Sequence, residues 1–361
     1  MKQILRDIEF GVHTFELSQT LTKKQFDAIH QRCCARGGLI PNETKKEYRT
    51  LRDPSMPGIT VTLYPIRSRN AYRVSVRVEP CRVLGSKDPT ALYSYSQKSY
   101  RKLEDICNRY LEQLCIPGEL CSIPVSRCDL TCNLVFRSQD IVDAYLRLLK
   151  KSCLIPSYRA VKFNVHEKKA KDPKRANKYS HCIQCRQATF LCYDKIDQLK
   201  MIGRCPKEWD DCFILRLEAQ LKCPALKRHL DKETLEDNLS LLKAASEHAL
   251  PVISSYLTRM FPCTAPHLRH ENAVSAVMKN VKKERLREQM LFLLRKTSDG
   301  AGLDTAAQKL REVYTDVNNK RLKKILYKFK ALNVNPITLL NAGKLKSLPY
   351  LGIIMDVKHT F

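Results

Sequence analysis

The sequence predicts an α+β protein, in which an antiparallel β-sheet domain is followed by an all-α C-terminal domain. Segments in which polar and apolar residues alternate recur between residues 11 and 222, and such alternation is typical of strands with one buried face. Segments with apolar residues at helical spacing separate these strands. After Pro224 the alternation stops, and helical spacing continues towards the C-terminus.

The first predicted elements have the order β-α-β-β-α-β. They are Gly11–Leu17, Leu21–Cys33, Gly58–Pro65, Tyr72–Val78, Ser96–Leu114 and Cys121–Phe136. Thr20 or Thr22 provides the N-cap of the first helix, and Pro117 with Gly118 ends the second. This order is that of the split βαβ, or ferredoxin-like, fold.

The pattern then partly repeats, which predicts a duplicated ferredoxin-like unit. The second set comprises the helix Gln139–Lys151, a strand Arg159–Val165, a strand pair or one long strand over Ser180–Ile196, and the strand Cys212–Lys222. No strong sequence repeat accompanies this similarity of order.

Five helices are predicted beyond the sheet domain. They are Asp231–His248, Leu250–Phe261, His270–Arg295, Gly302–Val313 and Asn319–Ala331. The expected organisation is therefore an N-terminal βαββα half over residues 1–120, a second β-rich half over 121–226 and a helical region over 227–361.

Charge is the strongest signal in the composition. The 361 residues include 64 Lys and Arg against 37 Asp and Glu, a formal net charge of +27. An excess of this size favours a polyanionic partner, because each neutralised phosphate releases counterions and adds affinity. Nucleic acid is the expected partner. An anionic membrane is disfavoured, since neither terminus has a strongly basic amphipathic pattern.

The sequence shows no sign of export or of membrane insertion. Arg6, Asp7 and Glu9 interrupt the N-terminal segment, and no run of eighteen apolar residues occurs, so a cytoplasmic protein without membrane contact is expected. The sixteen cysteines are then expected to be buried free thiols. Cys182 and Cys185 have C-x-x-C spacing but lack a second pair, so a zinc site is the weaker interpretation.

Three basic segments are candidate DNA contacts. They are the loop His166–Lys178 and the helical stretches Lys279–Arg295 and Lys320–Lys330. A solvated loop or helix face is the alternative, because charge runs usually have that role. The candidate contact residues are Lys168, Lys169, Lys174, Arg175, Lys282, Lys283, Arg285, Lys320, Arg321, Lys323 and Lys324.

Two predicted strands carry charged and polar residues on one face. In Cys121–Phe136 these are Arg127, Asp129, Thr131 and Asn133, and in Cys212–Lys222 they are Arg216, Glu218 and Gln220. Side by side, the strands would bring Asp129 and Glu218 within reach of one divalent cation, since Mg²⁺ and Mn²⁺ take oxygen ligands. Arg127 and Arg216 are further candidate DNA contacts. A solvated surface row is the alternative for either strand alone.

Four stretches resemble initiators of rolling-circle replication from phages and plasmids of Gram-positive bacteria. Arg127–Leu134 (RCDLTCNL) is similar to the R-x-D strand of the Rep trans-acting initiator family, and Thr189–Asp197 (TFLCYDKID) is similar to its strand ending in Tyr-x-Lys. Ile214–Lys222 (ILRLEAQLK) resembles the family's R-x-E-x-x-x-K strand. Leu332–Leu351 (LNVNPITLLNAGKLKSLPYL) resembles the closing N-P-hydrophobic-hydroxyl…L-P-x-L segment of related Firmicutes initiators.

The resemblance implies an enzyme that binds its replication origin and nicks one DNA strand. A tyrosine would become joined to the 5′ phosphate and leave a 3′ hydroxyl for a polymerase. Asp129 and Glu218 would hold the metal, with Asn133 as a third ligand or as a support for the ligands. The implied partners are origin DNA, as single strand and supercoiled duplex, and a host helicase or polymerase. Whether the protein forms a homodimer is left open.

The position of the nucleophilic tyrosine is also implied by the resemblance. In the family it lies on a helix some tens of residues beyond the glutamate strand, which indicates Tyr256 in Pro251–Phe261. A core residue of an apolar helix is the alternative for Tyr256. Tyr193 is the second candidate, because its strand is expected beside the metal pair. Two features depart from related nucleases: no His-hydrophobic-His triplet occurs, and Thr131 stands where a second carboxylate would help to hold a metal.

Two other functions are consistent with the charge. A non-enzymatic DNA- or RNA-binding protein would use the sheet as a platform, with Tyr72, Arg73, Arg77 and Arg186 as backbone and stacking contacts. The aromatic fraction of 7% counts against such a platform. A transcriptional regulator with a helical DNA-binding tail would leave the two acidic strands without a role.

Overall fold

The protein contains one large β-sheet, with long helices packed against one of its faces, and a smaller helical core. The computed structural model describes residues 4–41, 47–66, 71–161, 179–230, 237–340 and 344–356. The predicted α+β class, with an antiparallel sheet and several helices in the C-terminal part, is confirmed. None of the helices in these ranges is long and apolar enough to cross a membrane.

The strands divide into one sheet of ten and one separate pair. They are β1 (Leu5–Leu21), β2 (Ile40–Pro41), β3 (Arg49–Leu51), β4 (Ile59–Ile66), β5 (Ala71–Val78), β6 (Val125–Phe136), β7 (Arg159–Ala160), β8 (Ser180–Gln184), β9 (Ala188–Asp194), β10 (Phe213–Lys222), β11 (His267–Leu268) and β12 (Ser347–Leu348). The large sheet has the order β2-β3-β4-β5-β1-β6-β10-β9-β8-β7, and β11 pairs with β12.

Twelve α-helices lie within the described ranges. They are α1 (Lys23–Ala35), α2 (Pro80–Val83), α3 (Gln97–Gln113), α4 (Gln139–Lys150), α5 (Lys195–Met201), α6 (Cys223–His229), α7 (Asn238–Met260), α8 (His270–Asn280), α9 (Glu284–Ser298), α10 (Leu303–Val313), α11 (Asn319–Ala331) and α12 (Leu351–Asp356). Sequence caps fix several starts: the Thr22 side chain caps α1, Ser96 caps α3 and Asp237 caps α7.

The large sheet joins the two predicted β-rich halves. Its central pair is β1–β6, and each central strand also pairs with the last strand of its own half, β1 with β5 and β6 with β10. Residues 1–120 and 121–226 therefore contribute to one continuous antiparallel sheet. The stretch Ser180–Ile196 contains the strand pair β8–β9, which was one of the two predicted alternatives.

One face of the large sheet is apolar and forms the main core. Successive side chains of a strand point to opposite faces, so alternate residues of neighbouring strands share this face. Helices α1, α4 and α7 pack against these strands. Buried members of the face are Leu17, Val74, Val76, Cys128, Leu130, Phe190, Leu217 and Leu221.

The opposite face of the sheet is polar from β4 to β9. Paired residues run across it in rows, for example Thr60, Arg77, Glu16, Arg127 and Lys222. The candidate metal and DNA-contact residues of β6 and β10 belong to this polar face, and so does Tyr193, which pairs with Arg216.

The division of the chain into helices differs from the prediction in two places. Residues 238–260 form one continuous helix, α7, although Pro251 lies inside it. Burial of its apolar residues against β1 and β6 outweighs the missing proline N–H. The predicted helix His270–Arg295 instead forms two helices, because the backbone at Val281 and Lys283 is extended. The basic loop His166–Lys178 lies outside the described residues, and with it Lys168, Lys169, Lys174 and Arg175.

The C-terminal helices build a second core, after which the chain returns to the first. Helices α8 to α11 enclose the second core, with buried residues Val277, Met290, Leu293, Leu310, Ile325 and Phe329. Ile337, Leu348 and Tyr350, in the segment that follows, join the core of the large sheet. The Tyr145 hydroxyl of α4 donates a hydrogen bond to the Pro349 carbonyl at 2.9 Å, which holds this segment against α4.

Candidate functional site

Three side chains from adjacent central strands meet on the polar face: His13 of β1, Asp129 of β6 and Glu218 of β10. One ligand atom from each lies within 4.8 Å of the other two. Asp129 and Glu218 are 0% and 4% exposed, and His13 is half-buried. The predicted proximity of the two carboxylates is therefore present in the structure, and a histidine stands beside them. We call these three residues the acid–histidine cluster.

An irregularity in β1 places His13 in the cluster. Val12 pairs with Leu130 and Thr14 pairs with Asp129, so β6 offers no partner residue for His13 and β1 is bulged there. The His13 Nδ1 atom lies 3.6 Å from Glu218 Oε2. This nitrogen is buried and has no hydrogen-bond partner among the described residues.

Asp129 is held by a basic and a hydroxyl neighbour. Arg127 donates from Nε to Oδ1 at 2.6 Å and from Nη2 to Oδ2 at 2.7 Å, and the Thr14 hydroxyl donates to Oδ2. These bonds fix the carboxylate and satisfy its oxygens in a buried place, where an unpaired polar group would be costly. Arg127 is thus an ion-pair partner of Asp129, and its side chain is 27% exposed.

Glu218 accepts a hydrogen bond from Tyr193, the second candidate for the nucleophile. The Tyr193 hydroxyl donates to Glu218 Oε2 at 3.3 Å, and Gln220 Nε2 donates to Oε1 at 2.7 Å. Burial raises the pKa of Tyr193, the negative charge of Glu218 raises it further, and Arg216 opposes the shift. The phenol is therefore protonated at neutral pH and needs a base, or a nearby cation, to become a nucleophile.

Lys195 adds a buried amine next to this tyrosine. It is the first residue of α5, only 4% exposed, and its Nζ donates to Gln198 Oε1 at 2.9 Å. Burial lowers the pKa of Lys195 to about 7, the charge of Arg216 lowers it too, and Glu218 opposes the shift. A lysine with this pKa can exchange a proton at neutral pH.

Asn133 and Arg216 form a hydrogen-bonded network beside the cluster. The Asn133 amide oxygen accepts from Arg216 Nε at 2.7 Å, and its nitrogen donates to Glu9 Oε2 and to the Thr90 carbonyl, both at 3.0 Å. Arg216 Nη2 also donates to the Thr90 carbonyl, at 2.7 Å. The Asn133 oxygen is bound to Arg216, so Asn133 is not one of the three side chains of the cluster, and Arg216 is 0% exposed. The roles of Asn133 as a ligand or a support for the ligands, and of Arg216 as a DNA contact, stay predictions.

The structure separates Tyr256, the first-choice nucleophile, from the cluster. Its ring stacks on Phe190 with centroids 4.7 Å apart, and its hydroxyl lies 2.9 Å from that of Tyr158. Phe190 precedes Leu191, the cross-strand partner of Glu218, so Phe190 and Glu218 lie on opposite faces of the sheet. Tyr256, 1% exposed, therefore occupies the main core, behind the sheet.

The candidate contacts of the C-terminal helices differ in their surroundings. Arg285 pairs with Asp316 at 3.1 Å, and Arg321 is half-buried and donates to Gln289 Oε1 at 3.1 Å. The remaining five are exposed and have no ion pair within the described part of the chain. They are Lys282, Lys283, Lys320, Lys323 and Lys324.

Sequence reasoning missed His13 and Lys195. The β1 segment was predicted as a strand, but a one-residue bulge leaves no sequence signal, so the face of His13 could not be assigned. Lys195 does have a signal, the Tyr-x-Lys spacing that follows the β9 strand.

Comparison with known proteins gives no match. No protein-family model fits the chain, and none of the curated proteins is significantly similar to it. The function proposed below therefore depends on the geometry of the cluster, on the charge of the protein and on the motif resemblance.

Proposed function

We propose that this protein initiates rolling-circle replication by nicking one DNA strand, with Tyr193 as the nucleophile. The observation that carries the proposal is the position of Tyr193, whose hydroxyl is bound to Glu218 inside the acid–histidine cluster. The net charge of +27 and the resemblance to the Rep trans-acting initiator family support a DNA substrate.

The donor set of the cluster fits a divalent metal ion. One imidazole nitrogen and two carboxylates suit Mn²⁺, and the carboxylates suit Mg²⁺. The buried His13 Nδ1, which has no hydrogen-bond partner among the described residues, is the nitrogen suited to such an ion. Bound by His13, Asp129 and Glu218, the ion would supply charge neutralisation at the scissile phosphate.

The residues of the chain then have distinct roles in the cleavage step. Glu218 orients the Tyr193 oxygen, which attacks phosphorus while the P–O3′ bond breaks, leaving a 5′-phosphotyrosine and a 3′ hydroxyl. The phenol loses one proton and the 3′ oxygen gains one. Lys195, with a pKa of about 7, is suited to carry that proton.

We propose further that the nicking domain arose by duplication of one unit. Counted outwards from the central pair, the strands of the first half are β1, β5, β4, β3 and β2, and those of the second are β6, β10, β9, β8 and β7. Each central strand is followed by a helix, α1 or α4. The order β4-β5-β1-β6 is also the order that a ferredoxin-like βαββαβ unit requires.

The helical region is proposed to bind duplex DNA at the origin. The five exposed candidate lysines, which have no ion pair among the described residues, flank the second core at the start of α9 and along α11. Such residues bind phosphates and give affinity that falls with salt.

The test is cleavage of supercoiled DNA carrying the protein's own replicon, with Mg²⁺ or Mn²⁺. Wild type is expected to yield nicked circles with protein attached, and Tyr193→Phe and Glu218→Gln are expected to yield none. Tyr256→Phe is the matched control, because the ring stacked on Phe190 is retained. Cleavage that survives Tyr193→Phe but not Tyr256→Phe would reject Tyr193, and binding without cleavage under either metal would reject the enzyme.

A second candidate is a DNA-binding protein without nuclease activity. It is favoured by the two hydrogen bonds from Arg127 to Asp129, which neutralise one carboxylate of the cluster without a metal. This function predicts salt-dependent binding to the same DNA, with no covalent product and no change on adding Mn²⁺.

A further inference from the structure

Two arginines on the polar face lack partners. Arg73 and Arg77, both of β5, are half-buried, and each has a buried Nε without a hydrogen-bond partner among the described residues. Neither forms a salt bridge with any carboxylate in that part of the chain. A half-buried guanidinium that forms no salt bridge is suited to bind an anion from outside.

Arg77 lies next to the acid–histidine cluster. Its strand, β5, pairs with β1, which carries His13, and the positive charge of Arg77 is close enough to add to the lowering of the His13 pKa, which is caused mainly by burial. Three strand spacings separate β5 from β10, roughly 14 Å in all, and Glu218 lies four residues, roughly 13 Å, along β10 from Lys222, which shares the row of Arg77. Arg77 and Glu218 are therefore roughly 20 Å apart, a few nucleotides of an extended single strand.

The row through Arg77 is positive on balance. Across the sheet it continues to Glu16, then to Arg127 and Lys222. Glu16 also accepts a hydrogen bond from the Ser126 hydroxyl at 3.4 Å. Because Arg127 is paired with Asp129, the cations of this row without a salt bridge among the described residues are Arg77 and Lys222, against the one carboxylate of Glu16. This excess of positive charge attracts a phosphate backbone.

Arg73 leads away from the cluster to an aromatic pair. It lies four residues from Arg77 along β5, which places both on one face, and its cross-strand partner on β4 is Tyr64. The Tyr64 ring stacks on Tyr48, with centroids 4.2 Å apart and planes at 9°. Both tyrosines are half-buried, so neither residue is wholly covered by the described part of the chain.

We propose that single-stranded DNA lies across this face, with Arg77 and Arg73 binding successive stretches of its backbone and the Tyr48–Tyr64 pair stacking on a base. The proposal rests on the proposed function, in that the bound strand is the one that Tyr193 cuts. A duplex keeps its bases stacked inside, so only a single strand can use both the arginines and the aromatic pair. The arginines would thus bind the substrate strand a few nucleotides away from the scissile phosphate.

The test is binding of a fluorescent oligo-dT twelve-mer by the full chain in EDTA, measured by anisotropy over a series of salt concentrations. Each phosphate contact contributes about 0.7 to the slope of log affinity against log salt for a single strand. Arg73→Gln and Arg77→Gln are each expected to lower the magnitude of the slope by about 0.7 and to weaken binding. Tyr64→Ala is expected to weaken binding without changing the slope.

Arg101→Gln is the matched control, because Arg101 is exposed on α3 and belongs to none of the strands of the polar face, so its loss is expected to leave the slope unchanged. Equal slopes for the Arg73, Arg77 and Arg101 variants would overturn the proposal. If the arginine and tyrosine variants lose as much affinity for a twelve-base-pair duplex as for the oligo-dT twelve-mer, the ligand is not specifically a single strand. If wild type binds oligo-U more tightly than oligo-dT, the ligand is not specifically DNA.

The binding assay and the cleavage assay test the two proposals independently, so either proposal can be rejected without the other. Because the anisotropy measurement contains neither metal nor origin sequence, it reports only the binding of single-stranded DNA to the polar face through Arg73 and Arg77. Normal slopes in the variants, together with Tyr193-dependent nicking by wild type, would reject this inference and leave the nickase in place. Reduced salt slopes in the arginine variants, together with no nicking by wild type, would support single-strand binding on the polar face and reject the nickase.

Discussion

At the scale of single residues, the site depends on one inserted histidine. The alternation in β6 and β10 places Asp129 and Glu218 on one face, but it is the bulge in β1 that brings His13 beside them. Burial lowers the pKa of His13 well below its usual value, and the charges of Arg216 and Lys195 lower it further. The imidazole is therefore neutral at pH 7, the form that can bind a metal.

The cluster predicts a measurable metal affinity. His13→Ala and Glu218→Gln are each expected to weaken Mn²⁺ binding by about tenfold or more, about 1.4 kcal/mol of binding free energy, because each removes one donor. Isothermal titration calorimetry on the purified protein measures the change. His181→Ala is the control, since His181 pairs with Cys192 and so lies on the opposite face. Equal affinities for wild type and the two cluster variants would contradict a metal site here.

Asn133 allows the structural role to be separated from the ligand role. Asn133→Ala removes the acceptor of Arg216 Nε and leaves part of a fully buried charge unpaired. The free energy of unfolding is expected to fall by about 3 kcal/mol, measured by urea denaturation. The Mn²⁺ affinity of the folded variant is expected to stay that of wild type. A loss of affinity as large as that of Glu218→Gln would instead show Asn133 to be a ligand.

At the scale of elements, alternation and caps were informative where one face of an element is buried. Strands β4, β5 and β10 and helices α3 and α11 lie within two residues of their predicted bounds, because a two-residue or 3.6-residue period reports which side meets the core. The register between strands has no such local signal. For that reason the sequence alone could not predict that His13 joins the cluster or that Tyr256 lies behind the sheet.

Pro251 shows how tertiary packing overrides a local signal. A proline inside a helix usually breaks or kinks it, yet α7 continues through Pro251, and the Glu247 carbonyl loses its helical N–H partner there. Because Pro251 is exposed, Pro251→Ala is expected to raise the free energy of unfolding by about 1–2 kcal/mol. Urea denaturation measures this. Pro224→Ala is the matched control, since Pro224 lies in the first turn of α6, where proline is tolerated. Equal effects of the two substitutions would contradict a strained helix.

At the scale of the whole molecule, the chain closes on itself. After the second core it pairs β12 with β11 and packs Leu348 and Tyr350 into the first core, so the C-terminal segment holds the two cores together. His267, in β11, lies at this junction, and its Nδ1 is 2.7 Å from the Ile337 carbonyl. The junction thus depends on a buried histidine that donates one hydrogen bond.

That histidine makes the stability of the molecule sensitive to acid. Burial lowers the pKa of His267 to about 4, although the Ile337 carbonyl opposes the shift, whereas the unfolded chain has a value near 6.5. Between these values the unfolded state binds a proton that the folded state does not. The free energy of unfolding is therefore unaffected by this group above pH 6.5 and falls as the pH drops to 4, by up to about 1.4 kcal/mol per pH unit.

Urea denaturation from pH 7 to 4.5 measures the slope of this free energy against pH. His267→Gln is expected to reduce it, while Leu348→Ala, which truncates the cross-strand neighbour, lowers stability at every pH and keeps the slope. An unchanged slope in His267→Gln would show that the acid sensitivity arises elsewhere.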